Sequence, residues 1–263
     1  MIFGKIVAGL LGLLLLGPLG ALLGLLVGHW FDRGLQHSLG FASPEHLARV
    51  RESFFKTSFQ LLGFVAKADG RVSQAEVAHT EEIMRQLGLG EQQRLAAITL
   101  FKEGAEQNFQ PQPVISGFNE LCRGQKQLQQ TLLVFLVSLA LADGHLDAAE
   151  QQVLEMLASY MGYSAADFAR LVRMIEAQRH FHGSAADSIP EKDQLNDAYL
   201  ALGVDREASD REVKKAYRRL MSQNHPDKLI ARGVPEDMVK IATEQSQEIL
   251  AAHEVIKKSR GSR

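Results

Sequence analysis

The sequence has a single cysteine, Cys122, which excludes an intrachain disulfide and a cysteine-rich zinc site and fits a reducing compartment. No charge of one sign dominates. Lys and Arg number 29 against 31 Asp and Glu, and a formal net charge of -2 argues against a general nucleic-acid binder. No sustained period-two run of apolar residues is present, so strands are not expected. There is no G-x-x-x-x-G-K-[ST] phosphate loop, and neither Glu81-Glu82 nor the scattered histidines form a spaced nucleophile and base. The chain is therefore not expected to be an enzyme or to need a cofactor. Its 263 residues suit one or two folded units with additional segments.

What is present is unevenly distributed. From Ile6 to Gly28 the sequence IVAGLLGLLLLGPLGALLGLLVG carries no charged or hydrogen-bonding side chain. As a helix these 23 residues reach about 34 Å, enough to span a hydrocarbon core. A signal peptide would have a shorter apolar region ending at a small-x-small site, whereas this run leads into Gly28-His29-Trp30-Phe31-Asp32-Arg33. A retained anchor is expected, with Trp30 and Phe31 at the interface and a bend at Pro18. Arg33, Arg49 and Arg51 follow the span and only Lys5 precedes it, which favours an outward amino end and a cytosolic body. Gly20, Gly24 and Gly28 share a helix face as two overlapping GxxxG units. Homodimerisation through that face is one reading; the other is that glycine is common in membrane helices, as Gly4, Gly9, Gly12 and Gly17 lie outside the register.

Beyond the anchor, apolar residues recur at helical spacing, as in Phe54, Phe55, Phe59, Leu62 and Val65, between breakers at suitable intervals. A bundle of roughly seven helices is expected. It contains an internal echo: the stretch from Phe64 through Asp69-Gly70 to Glu76 matches that from Leu139 through Asp143-Gly144 to Glu150. Gly70 and Gly144 suit helix ends, and Ser73-x-x-Glu76 and Asp147-x-x-Glu150 suit capping boxes that start the next helix. Asp69, Glu76, Asp143 and Glu150 could alternatively offer oxygen ligands to a divalent cation, although neither loop has the EF-hand series. These ADG repeats, helical and set behind a membrane helix, resemble the TerB-like fold over about residues 44 to 180. The resemblance implies acidic residues near such turns as metal ligands and keeps the cation reading open.

From Arg179 to Asp193 the sequence RHFHGSAADSIPEKD loses apolar periodicity and has the composition of a hinge. His180 and His182 lack partners spaced for zinc and read as solvent-exposed. Next comes a short apolar-faced segment, Asn196 to Leu202, stopped by Gly203, and then a helix capped by Ser209 or Asp210. Val213, Tyr217 and Leu220 form its buried stripe, while Arg211, Lys214, Lys215, Arg218 and Arg219 make the opposite face basic. Pro226 stops that helix near Asn224-His225, predicting a polar loop His225-Pro226-Asp227-Lys228. A second long helix is predicted to open near Pro235-Glu236-Asp237 and to carry Ile241, Ile249, Ala252 and Ile256 inward.

The short helix, the helix containing KKAYRRL, HPDK at its end and the helix bearing EILAAHEVI together resemble the J-domain, over about residues 193 to 258. That resemblance implies that His225, Pro226 and Asp227 engage a DnaK-type heat-shock chaperone and accelerate its ATP hydrolysis. Lys214, Lys215, Arg218 and Arg219 would dock on its acidic surface. Ser246 and His253 stand where many J-domains place an aromatic and Tyr, so looser or rearranged packing is expected there, and few residues remain for a fourth helix. No Gly/Phe-rich stretch accompanies the domain, which argues against general client delivery of the soluble type.

The expected architecture is all-α. Residues 1–5 are a short extracytoplasmic end, 6–28 a transmembrane helix, 29–43 a juxtamembrane segment, 44–178 a TerB-like bundle, 179–192 a linker and 193–263 a J-domain. This order resembles that of the J-proteins of the bacterial inner membrane. The first expectation is a co-chaperone in contact with lipid that recruits a cytosolic DnaK-type chaperone, its bundle binding an unknown client or sensing its state. The alternative is a divalent-cation-sensing adaptor that presents its J-domain conditionally.

Overall fold

Apolar residues at three- and four-residue intervals can be buried together only if the chain winds into helices, and every regular element described is helical. The computed structural model describes residues 43–68, 80–81, 84–85, 87–122, 125–141, 146–181 and 191–261. The expected membrane span 6–28, with Gly20, Gly24 and Gly28, lies outside them, as do Asp69, Glu76, Asp143 and His182. No helix among the described residues is long and apolar enough to cross a membrane.

The central bundle comprises α1 (Pro44–Ala66), α2 (Glu91–Gly104), α3 (Pro111–Leu121), α4 (Lys126–Ala140), α5 (Ala148–Tyr160) and α6 (Ala165–Arg179). Thr80, Glu81, Met84 and Arg85 are also helical. Pro111 opens α3, where a missing N–H costs nothing, and Ser164 caps α6 by accepting from the Asp167 amide at 3.2 Å. The core is built around Phe54, Phe59, Phe118, Leu132, Leu136 and Phe168, all almost fully buried. Phe54 meets Phe118 and Phe135 edge-on, with centroids 5.9 and 6.4 Å away. Cys122 lies in this core, and burial pushes its thiol up to about 12, so it is a packing residue rather than a nucleophile.

Two glycines set the closest approach in the bundle. A Cβ on Gly63 would overlap the Phe101 carbonyl oxygen, and one on Gly104 would overlap the Gln60 carbonyl oxygen. Helices α1 and α2 therefore cross backbone against backbone, and any larger residue would force them apart. Gln60 also donates from Nε2 to Glu103 Oε2 at 2.9 Å beside the crossing.

Four helices follow: α7 (Glu191–Leu202), α8 (Asp210–Asn224), α9 (Pro226–Arg232) and α10 (Val239–Ser259), with a 3-10 turn at Glu236–Met238 before the last. Helices α7, α8 and α10 pack around Tyr199, Leu202, Val213, Leu220, Ile249 and Ile256. The end of α6 joins this second core through Ala177 and Phe181. The bodies on either side of the hinge-like segment are thus packed on one another, and residues from Ala48 onward form one compact unit. Gln178 donates from Nε2 to the Ala201 carbonyl at 2.8 Å, fully buried, where α6 meets α7. His180 is exposed, as expected, and places Nδ1 2.7 Å from Asp197 Oδ2.

Candidate chaperone-docking site

The site begins with a cap. Ser209 Oγ accepts from the Glu212 amide at 3.4 Å, and Glu212 Oε2 accepts from the Ser209 amide at 2.8 Å, the reciprocal pair of a capping box. The Ser209 hydroxyl, donating to Glu212 Oε2 at 2.7 Å, and the Ser209 amide hold the Glu212 carboxyl below the usual range. Helix α8 then runs with Val213, Ala216 and Leu220 buried and Tyr217 half-buried. Arg211, Lys214, Lys215, Arg218 and Arg219 are all exposed, a continuous cationic face with nothing over it among the described residues.

The helix stops because His225 is extended, at φ -64° and ψ 124°, as a residue before proline must be. The HPD residues are then not the polar loop expected. His225 Nδ1 accepts from the Asp227 amide at 3.2 Å, making His225 the N-cap of α9, and Pro226 and Asp227 form its first turn. The His225 carbonyl accepts from the Lys228 and Leu229 amides, both at 3.1 Å, so the turn is closed by backbone bonds as well. An accepting Nδ1 carries no proton, so the ring presents its N–H at Nε2. The His225 side chain is 52% exposed and that of Asp227 is 88% exposed, so both remain available to a partner. Lys228 Nζ donates to Ser222 Oγ, tying the turn back to α8.

After α9, Gly233 adopts φ 101°, and the Val234 amide reaches the Leu229 carbonyl at 3.0 Å, a left-handed helix end that only glycine enters without strain. The second long helix was predicted to open at Pro235; a 3-10 turn comes first and α10 starts at Val239. Asp237 spends its carboxylate on Gln93 Nε2 of α2, at 2.7 Å, instead of on its own first turn. Looser or rearranged packing was expected at Ser246 and His253, and the structure shows the second. The His253 ring stacks on Tyr217, centroids 4.1 Å apart, and the Ser246 hydroxyl lies 2.8 Å from the Ala242 carbonyl and 3.4 Å from that of Asn224. Arg260 fastens the end of α10, donating to Tyr199 Oη at 2.8 Å, Asp210 Oδ1 at 2.6 Å and the Ala208 carbonyl at 2.6 Å.

Of the four candidate metal ligands, Glu150 is engaged at the start of α5, its Oε2 accepting from the Asp147 amide at 3.2 Å within a capping box. Asp69, Glu76 and Asp143 lie outside the described residues, among which no group of three or more His, Cys, Asp or Glu side chains could hold an ion. The residues that sequence reasoning overlooked are Leu229, Val234, Met238 and Val239. Their apolar character between and just after the predicted polar loop and the predicted start of the second long helix was the available signal.

Three family models match the chain: Tellurite resistance protein TerB over residues 56–173, the co-chaperone DjlA transmembrane domain over 1–38 and the DnaJ domain over 197–261. Curated relatives include the co-chaperone protein DjlA of Coxiella burnetii, 37% identical over 98% of this chain and 97% of that protein. Those of Photobacterium profundum and Vibrio parahaemolyticus are 36% and 39% identical, the first over 98% of this chain and 99% of that protein, the second over 99% of each. No solved structure matches. With a TerB-like helical bundle, a J-domain whose HPD turn and basic helix face solvent, and this similarity along nearly the whole chain, the protein belongs to the DjlA family of J-domain co-chaperones.

Proposed function

We propose that this co-chaperone recruits a DnaK-type heat-shock chaperone and stimulates its ATP hydrolysis through His225, Pro226 and Asp227, without hydrolysing ATP itself. The observation that carries the reading is the placement of the exposed HPD turn directly at the end of an exposed cationic helix face. Arg211, Lys214, Lys215, Arg218 and Arg219 raise the rate of encounter with an acidic surface, an effect that falls with ionic strength. The turn then offers an imidazole N–H and an exposed carboxylate side by side, which suits short-range contacts with a carbonyl and a cationic group on the partner. In this reading the protein is a single-pass component of the bacterial inner membrane, its amino end periplasmic and its body cytosolic. Gly20, Gly24 and Gly28 form the face on which two membrane helices pair, and the bundle meets the client.

Single-turnover ATP hydrolysis by the chaperone, measured with increasing amounts of the membrane-extracted protein, tests the central step. His225→Gln is expected to leave the helical content nearly unchanged, to cost in stability no more than the loss of one helix cap, about 1 kcal/mol, and to abolish stimulation. Undiminished stimulation by that variant would reject the proposal.

A further inference from the structure

The HPD turn lies between two hydrophobic cores. On its amino side, Leu220 is buried with Val213, Ile249 and Ile256 in the core of α7, α8 and α10. On its carboxyl side, Leu229, Val234, Met238, Val239 and Ala242 are buried in the same continuous cluster as Phe54, Phe118 and Leu132 of the central bundle. The segment from Leu229 to Ala242 is thus a strap that the bundle holds. Polar contacts follow the same route: Gln93 of α2 to Asp237 at 2.7 Å, and Gln245 of α10 to Ser138 of α4 at 2.9 Å. Gln130, Gln178, Gln223 and Asn224 help line a cleft of about 30 Å³ beside Gln245, so the residue preceding His225 also borders the bundle.

A seven-residue helix is too short to be stable by itself in water. Helix α9 has a side-chain cap at one end and a glycine cap at the other; its buried apolar anchor is Leu229, which belongs to the same hydrophobic cluster as Val234, Met238 and the bundle residues, while the helix itself packs on α8 and α10. Helix α8 is different: its stripe, Val213 and Leu220, is buried in the other cluster, with α7 and α10. The two parts of the docking site therefore depend on different cores.

Building on the chaperone-stimulating role proposed above, we propose that the central bundle acts as a positioning element of the J-domain: by sharing one hydrophobic core with Leu229 and the strap it holds the HPD turn in its working shape. Leu229, Val234 and Met238 are positioning residues, acting through His225 and Asp227. Loosening the strap leaves capture by the basic face intact and reduces the fraction of captured complexes whose turn is competent, so maximal stimulation falls while the half-saturating concentration stays. A simple loss of folded protein does the reverse, since a smaller active fraction raises the apparent half-saturating concentration and leaves the maximum in place.

The test uses the full-length protein in detergent micelles, comparing wild type, Leu229→Ala, the milder Val234→Ala and the conservative Leu229→Met. Leu229→Ala is expected to lower maximal stimulation about five-fold or more with the half-saturating concentration within about two-fold of wild type, Val234→Ala to do so less, and Leu229→Met to recover most of it. Amide hydrogen exchange gives a reading that needs no chaperone: Lys228 to Val234 should exchange faster in Leu229→Ala while Val213 to Leu220 stay protected. Unchanged exchange over Lys228 to Val234, or a raised half-saturating concentration at an unchanged maximum, would overturn the inference. If Leu229→Ala loses protection throughout, Val234→Ala decides by the same criteria. Wild type that fails to stimulate any DnaK-type chaperone would count against the proposed function, and the exchange result would still judge the strap.

Discussion

The central bundle and the carboxyl-terminal hairpin are both helical, yet different forces define them. The bundle is specified by shape: interlocked phenylalanines, and a backbone-on-backbone crossing at Gly63 and Gly104 that tolerates no added carbon. The hairpin is specified by its ends: a capping box at Ser209, a histidine cap at His225, a glycine stop at Gly233 and an arginine clasp at Arg260. The difference has a functional logic. A helix that must leave one whole face exposed and charged cannot be held by packing on that side, so directed hydrogen bonds at its termini take a larger share.

The sharpest way to break this contrast is to enlarge the crossing. Gly104→Ala or Gly63→Ala should destabilise the protein by about 3 kcal/mol, because the new methyl meets a carbonyl on a rigid helix and neither backbone can yield locally. A melting curve of either variant within experimental error of wild type would mean that the bundle is not shape-limited at that point. A smaller effect is expected from the clasp. Arg260→Ala removes donors to Tyr199, Asp210 and Ala208 at a partly solvated site, and a loss of about 1 kcal/mol is expected. Arg260→Lys should recover little of it, since one ammonium cannot reproduce the fork. Equal stability of all three forms by chemical denaturation would show that the hairpin is held by its core and not by its ends.

The smallest effect concerns pH. Burial of the His253 ring against Tyr217 lowers its pKa below the ordinary value of 6.5, opposed by Glu254 and reinforced by Lys257 and Lys214. The unfolded chain therefore takes the proton first. The stabilising contribution of the neutral ring is complete above pH 6.5 and is lost as pH falls from there through the lowered folded value. His253→Phe keeps the stack without the titration, so the difference in melting temperature between wild type and variant should shift steadily in the variant's favour below about pH 6.5. A difference that does not change with pH would remove His253 from the pH response.

Much of the docking site was legible because its residues interact with near neighbours in sequence. The Ser209 to Glu212 box, the buried stripe through Val213 and Leu220, the stop before Pro226 and the basic face all follow from spacings of a few residues. The same holds for the box at Asp147 and Glu150. The form of the HPD segment was harder to read. Pro226 announces a helix end to its left and equally suits a helix start to its right, and the choice rested on whether Leu229 had somewhere to be buried. No local pattern holds that information, since the cluster that includes Leu229 is assembled from residues as far apart as Phe54 and Ala242.

The amino-acid order alone determined that the described chain is helical, where the basic helix begins and ends, and which three residues stand at its tip, because periodicity, caps and proline act within a turn or two. Only the tertiary structure decided that Gly63 and Gly104 face one another's helices and that the tip is shared between two cores. Burial is a property of residues brought together from distant positions, and the strap exists because apolar side chains after Asp227 joined the core of the bundle and not the cluster of Tyr199, Leu220 and Ile249.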